Sequence, residues 1–250
     1  MKLINLNVEC GIVYEPLMEF IKKYSVDTDI FCFQEVFHNA DTTKIRSFLV
    51  NKARPKLFSE FQNILLDFNG YHFPTREGEF GGLAIFIKKS FVVNKVENIV
   101  ISRESSKTID ESDENYFAMG RNLQRMKFSH LGKKYSIFNF HGKWIVNGKG
   151  DTKKRIEQSE KLRKIFDESN GAKILCGDLN VERDTESMAI LNKDNRNLIQ
   201  EYNIDSTRSL SKKRPEVVDY VIVSPEVDVE DFKVLSDEVS DHLAMSLVFN

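Results

Sequence analysis

The chain opens on an alternation. Residues 2–8, KLINLNV, set Ile4, Leu6 and Val8 on one face, the period of a half-buried strand. A second short apolar strand is expected at 29–34, DIFCFQ, and between the two Leu17, Phe20, Ile21 and Tyr24 recur at helical spacing across 16–24. Strand, helix, strand is therefore the predicted opening. Two more helical patterns follow, at 43–50 and 58–67, before Gly81 and Gly82 introduce the apolar run LAIFI and a Val- and Ile-rich strand over 91–101. Strands predicted at 121–128 and 134–140 join through the Gly-containing connection 130–133, a hairpin signal. A helix over 152–166 leads into the strand ILCGD, and the last third supplies VVDYVIVS, a strand at 229–235 and the terminal LAMSLVF. Long β runs separated by several helices predict two packed sheets with helices outside, an α/β sandwich, more than an alternating barrel.

Composition narrows this picture only in places. With 250 residues and 41% hydrophobic content the chain can bury a sizeable core, and a single domain over 1–250 is expected. No stretch approaches the roughly 20 apolar residues of a membrane span, and MKLINLNVEC lacks the apolar run of a secretory signal. Cys10, Cys32 and Cys176 have no CxxC spacing and each adjoins a predicted strand, so they read as small apolar filler in an intracellular, reducing compartment. Thirty-six basic against 38 acidic residues neither demand nor exclude a nucleic-acid partner. The stretch 104–114, ESSKTIDESDE, has five acidic residues and reads as a solvated excursion between strands.

The chemistry sits at strand ends. Asn7 and Glu9 in LNVE, Glu35 in FCFQEVF, His141 in FNFHGKW, Asp178 and Asn180 in CGDLNVE, Asp219 in VVDYVIV, and Asp241 with His242 in SDHL all follow or open a β-like run. Any one of these could be a turn former; Asp178 and Asn180 suit an Asx-turn, for example. Together they matter more, because strands of one sheet deliver their ends to a common edge. Carboxylates, amides and imidazoles without a cysteine cluster are the ligand set of a hard cation such as Mg²⁺ or Mn²⁺.

In this order LNVE, FQEVF, FNFHGKW, CGDLNVE, VVDYVIVS and SDHLAM resemble the motifs of the endonuclease/exonuclease/phosphatase superfamily, metal-dependent phosphoesterases similar to deoxyribonuclease I, over residues 5–243. The resemblance implies a four-layered α/β sandwich of two mixed sheets flanked by helices. It implies Glu35 as principal metal ligand, with Asn7, Glu9 and Asp241 completing or neighbouring the site and Mg²⁺ as cofactor, Mn²⁺ substituting. Asp178 is similar to the group that orients and deprotonates the attacking water, and Asn180 to the one that holds the phosphate or that aspartate. His242 resembles the histidine that contacts the scissile phosphate, Asp219 its orienting carboxylate, and His141 the second phosphate-contacting histidine. An aspartate beside His242 is expected to raise the imidazole above its reference pKa of roughly 6.5.

Departures touch the substrate. Leu6 stands where the family usually has tryptophan, FQEVF lacks the lysine of abasic-site endonucleases, and RPEVVDY lacks the pattern of inositol polyphosphate phosphatases. Between 143 and 164 lie eight cations against three acids, directly after His141. Lys143, Lys153, Lys154 and Arg155 of this run are candidate phosphate contacts on a basic lip, and Lys212, Lys213 and Arg214 form a second cluster. Trp144 is read first as packing and second as a base-stacking platform. The expected activity is hydrolysis of a nucleic-acid phosphodiester. The alternatives are a phosphatase or phosphodiesterase for a small or lipid phosphate, and a non-catalytic binding protein on the same fold.

Overall fold

The computed structural model describes residues 1–43, 45, 49, 51–74, 81–102, 120–145, 148–209 and 215–250. The acidic stretch 104–114, the Lys212–Arg214 cluster and most of the helical pattern at 43–50 lie outside the described residues. In chain order the elements are β1 (Lys2–Asn7), α1 (Tyr14–Ser25), β2 (Ile30–Val36), α2 (Leu57–Ile64), β3 (Phe68–Phe73), β4 (Gly82–Lys88), β5 (Val92–Ser102), β6 (Arg121–His130), β7 (Lys133–His141) and α3 (Lys153–Asp167). They continue with β8 (Ala172–Asp178), α4 (Glu186–Asn192), β9 (Arg196–Asn197), α5 (Leu198–Glu201), β10 (Asp219–Val223), β11 (Val229–Val234) and β12 (Met245–Phe249).

These strands make two mixed six-stranded sheets, β11-β12-β1-β2-β4-β3 and β5-β6-β7-β8-β10-β9. Period-2 alternation sorts the layers. Ile4, Leu6, Phe31 and Phe33 point outward and pack with Leu17, Phe20 and Ile21 of α1 and Phe58 and Phe61 of α2. Their neighbours Leu3, Ile30 and Cys32 turn inward to a cluster that contains Ile137, Ile174 and Cys176 of the second sheet. On the far side of that sheet Phe138 meets Phe166 of α3 at 5.2 Å between ring centroids. Thr152 caps α3 by accepting from the Arg155 backbone N–H, which fixes where the helix begins after the polar loop. The expected sandwich is thus observed, with helices on both outer faces. Four of the short elements escaped the pattern: β3 begins at Phe68, just past the segment 58–67, α4 has seven residues, β9 two and α5 four.

The space between the sheets changes character along the strands. At one end it is apolar; toward the carboxyl ends of β1 and β2 it turns into amides. Buried Gln34 Nε2 donates to Asn5 Oδ1 at 2.9 Å and to Asn139 Oδ1 at 2.6 Å, and Asn139 Nδ2 donates to Gln124 Oε1 at 3.1 Å. Paired side chains of this kind tie the sheets in one register, because an amide left without partners there would be costly. The layer beyond them holds the strand-end polar residues.

Candidate active site

Register brings the second sheet's residues into a row. Parallel pairing of β7 with β8 sets His141 beside Asp178, and antiparallel pairing of β10 with β8 sets Asp219 beside Asp178. From the first sheet, β1 ends at Asn7 next to Gln34, and a bulge in β2 between Phe33 and Val36 re-aims Glu35. Glu35 has φ 60°, and a Cβ on Gly81 would stand 2.1 Å from the Glu35 carbonyl carbon, so glycine there makes the bulge possible. Glu9 and Asn180 also adopt positive φ, at 46° and 56°. Backbone strain at three of the nine expected site residues is the pattern of a site held in place by its surroundings.

The side chains converge on a cavity of about 460 Å³ lined by Glu9, Glu35, His141, Asp178, Asn180, Asp241 and His242, among others. Asn7 lies beneath, where its Nδ2 donates to Glu35 Oε1 at 3.1 Å and to Asp178 Oδ2 at 3.2 Å, one amide clamping carboxylates from both sheets. Asp178 Oδ1 accepts from the Asn180 backbone N–H at 2.9 Å, an Asx-turn that leaves Oδ2 for the cavity. The same pair therefore forms the turn and lines the cavity. Asp219 grips His242 Nδ1 through both oxygens, at 2.9 and 3.0 Å, and His242 Nε2 lies 3.7 Å from Asp178 Oδ2. His141 Nε2 is 3.6 Å from Asp178 Oδ2 and 3.8 Å from Glu35 Oε1. Glu9 Oε2 accepts from the Asp241 backbone N–H at 3.2 Å.

Burial drives the proton affinities apart. Loss of water around Asp178, reinforced by Asp219 and offset in part by His242, pushes its carboxyl up to about 6. For His242 burial acts against the charge, but Asp219 and Asp178 overcome it and raise the imidazole to about 9. His141 goes the other way: burial, with Arg121, His242 and Lys149 nearby, holds it well below the usual histidine range, so it is neutral. Two carboxylate neighbours make one histidine a cation. Burial, helped by cationic neighbours, keeps the other uncharged.

Four cations that the sequence reading did not assign as site residues, Lys52, Arg121, Lys149 and Arg208, stand in the cavity wall. Lys149 Nζ donates to Asn180 Oδ1, and its loop is stitched down by Glu182 N–H on the Lys149 carbonyl and by Asp151 on the first backbone N–H groups of α4. Arg208 donates from Nη2 to Asp241 Oδ2 at 2.8 Å, while its Nη1 touches His242 Nε2. That last contact is donor to acceptor only on a neutral ring, whereas the raised pKa favours the imidazolium. The bidentate Asp219 pair decides for the imidazolium once Arg208 has moved or an anion stands between the two.

The candidate lip is corrected in one member and displaced in three. Arg155 is 1% exposed and spends its guanidinium on the Lys143 and Gly150 carbonyls, so it pins the loop after β7 and faces no solvent phosphate. Lys153 and Lys154 are exposed on the first turn of α3 and do not line the cavity; nor does Lys143, whose backbone N–H goes to Gln158. Of that run Lys149 and Trp144 reach the cavity, with Lys149 Nζ 5.9 Å from the Trp144 ring centre.

The donor set fits a hard divalent cation. Glu9, Glu35 and Asp241 offer carboxylate oxygens to one cavity, and the nearest sulfur, Cys10 Sγ at 3.5 Å from Glu35 Oε2, is kept protonated by burial and the Glu35 charge. Ligand atoms of Asp178, Asp219 and His242 also lie within 4.8 Å of one another. In that group both Asp219 oxygens are already on His242, so it suits proton handling, and the more open carboxylates suit a hydrated ion. All three cysteines are free and buried, as filler would be. None of the helices in the described residues is long and apolar enough to cross a membrane.

Residues 4–242 match the endonuclease/exonuclease/phosphatase family. Among solved structures the chain is similar to a mannosyl-6-phosphatase of Bacteroides thetaiotaomicron, at 17% identity and TM-score 0.74, covering 100% of this chain and 99% of that one. It is similar also to the catalytic domain of human Nocturnin, at 18% identity and TM-score 0.68 with 100% and 93% covered. A humanized D. rerio TDP2 gives 15% identity and TM-score 0.72 with 100% and 98% covered. No curated protein sequence matches.

Proposed function

The chain belongs to the endonuclease/exonuclease/phosphatase family and is a metal-dependent phosphoesterase, and from that premise we propose that it uses Mg²⁺ or Mn²⁺ to hydrolyse nucleic-acid phosphodiesters. The observation that carries the hydrolytic reading is the single cavity in which Asp178 and the Asp219–His242 pair face the carboxylates of Glu9, Glu35 and Asp241. Glu9, Glu35 and Asp241 would hold the divalent cation, which would supply charge neutralisation for the phosphoryl oxygens. Asp178 Oδ2 takes the proton of the attacking water, its other oxygen locked by Asn180. His242 donates from Nε2 to a phosphoryl oxygen, with Asp219 fixing the ring through Nδ1, and neutral His141 donates from the opposite side. Lys149 holds Asn180 and adds positive charge.

Support for a polynucleotide comes from Lys52, Arg121, Lys149 and Trp144 in the cavity wall, cations beside an aromatic face. A second reading is a small phosphorylated molecule such as a sugar phosphate. It is favoured by the lip residues standing away from the cavity, which leaves few contacts for distant phosphates. Turnover on single-stranded, duplex and end-adducted DNA, RNA and sugar monophosphates with Mg²⁺ separates the two. Nucleic-acid turnover that exceeds monoester turnover in kcat/KM supports the first, and turnover confined to small monoesters removes it.

A further inference from the structure

Arg208 stands where the substrate must come. Its segment is fixed from three sides: Thr207 N–H donates to the Glu216 carbonyl, Leu243 N–H to the Thr207 carbonyl, and Ser209 N–H to the Asp241 carbonyl at 3.1 Å. Thr207 Oγ1 in turn accepts from the backbone N–H of Val218 and Asp219 at the start of β10. The base of the side chain is therefore anchored to the strand carrying Asp219 and to the loop carrying Asp241 and His242. Its guanidinium lies across the cavity side of that loop, Nη2 on Asp241 Oδ2 and Nη1 on His242 Nε2. Nε lies 3.8 Å from Glu216 Oε2, beyond hydrogen-bond distance, and is buried without a hydrogen-bond partner.

We propose that Arg208 is a substrate-binding residue that rests on Asp241 and His242 in the free protein and turns to the phosphoryl oxygens when substrate enters. The proposal rests on the phosphoesterase reading in one respect only, the assignment of His242 Nε2 to the phosphate. A phosphoryl group that reaches Nε2 has to displace Nη1 from it. The displaced fork stays within reach, because only its outer end moves while the backbone is held on both sides. A phosphate offers several acceptor oxygens to a planar fork of donors, the bidentate pairing in which arginine exceeds lysine. It also offers a partner to Nε, which the resting state lacks. Arg208 thereby covers His242 until an anion arrives.

The test uses the full chain in excess chelator, with inorganic phosphate as the probe and calorimetry or chemical-shift titration as the readout, followed by kinetics with Mg²⁺ on the best ester of the substrate panel. Arg208→Gln is expected to weaken phosphate binding about 10-fold or more, the range of a lost charge-assisted pair, and to raise KM by more than it lowers kcat. Should that variant not fold, Arg208→Lys keeps the charge on Asp241 but loses the fork, and its phosphate affinity is expected to fall between the two. A folded Arg208→Gln, or failing that Arg208→Lys, with wild-type phosphate affinity and KM overturns the proposal and leaves Arg208 as a structural partner of Asp241. Arg208-dependent phosphate binding in a protein that hydrolyses no ester would keep the binding role and overturn the hydrolytic reading instead.

Discussion

The two sheet edges that meet in the cavity are built differently. On the first sheet Glu9 and Glu35 sit at positive φ, the second on a bulge, and the Glu35 side chain is 24% exposed. On the second sheet His141, Asp178 and Asp219 follow regular register, and the Asp178 and Asp219 side chains are 4% and 1% exposed. A hydrated cation needs oxygens that reach out of the sheet into partly wet space, which regular pleating does not deliver. Proton transfer needs the reverse: fixed groups in low dielectric, where neighbours shift pKa values by units. The first edge is a cation-holding side, the second a proton-handling side, and Asn7 Nδ2 is the bond between them.

If the division is right, the largest effect comes from removing the ion altogether. Excess chelator should abolish turnover, and Mg²⁺ or Mn²⁺ should restore it; full activity in chelator would break the comparison at its first half. Next comes the proton side. Asp178→Asn and His242→Ala should each lower kcat on the order of 10² or more while leaving the metal concentration for half activity nearly unchanged. A folded Asp178→Asn protein with near-native turnover would remove Asp178 as the base. Glu35→Gln should do the converse: the half-saturating metal concentration rises by about 10-fold, and much of the rate returns at saturation. If instead Glu35→Gln lowered kcat at every metal concentration and Asp178→Asn shifted the metal titration, the two sides would have to exchange roles.

The proton side was easier to read from the amino-acid sequence than the residues that serve it. Asp178 and His141 end apolar strands and Asp219 opens one that runs antiparallel, and pairing places such ends on one sheet edge whatever the loops do. Arg208, Lys149 and Arg121 carry no such mark, because they belong to loops or to a strand start in a chain with 36 basic residues. The lip at 143–164 erred for the same reason. Local charge density says nothing about direction, and Arg155 turns inward to bond two carbonyls while Lys149 turns into the cavity. Among the elements, β3 hid because FNGYHF is an edge strand of mostly half-buried residues with a glycine and no alternation. Asn5, Gln34 and Asn139 did leave a signal, polar residues inside otherwise apolar strands, and they form the amide layer under the site.

The smallest expected effect concerns stability, and it isolates the Asp219–His242 pair. His242 binds its proton more tightly folded than unfolded, with a pKa of about 9 against the ordinary histidine value of 6.5. A raised pKa contributes stability that is fully present below the unfolded value and is lost as pH rises through the folded one. Asp178, raised from 3.8 to about 6, has the same sign but spends its contribution at lower pH, so between pH 6.5 and 9 His242 is the group that titrates. The metal-free protein should therefore lose about 1–3 kcal/mol across that window, taking each pKa unit as roughly 1.4 kcal/mol and allowing a unit of latitude. Asp219→Asn removes the larger of the two carboxylate contributions that overcome burial, so its His242 should hold the proton less tightly and its stability should decline less over the same range. The buried thiols Cys10 and Cys32 are common to both proteins and cancel in the difference. Urea midpoints at pH 6.5, 7.5 and 9 in chelator measure it. Parallel decline in wild type and Asp219→Asn would mean that His242 carries no extra proton in the fold, and the proton side would then rest on Asp178 alone.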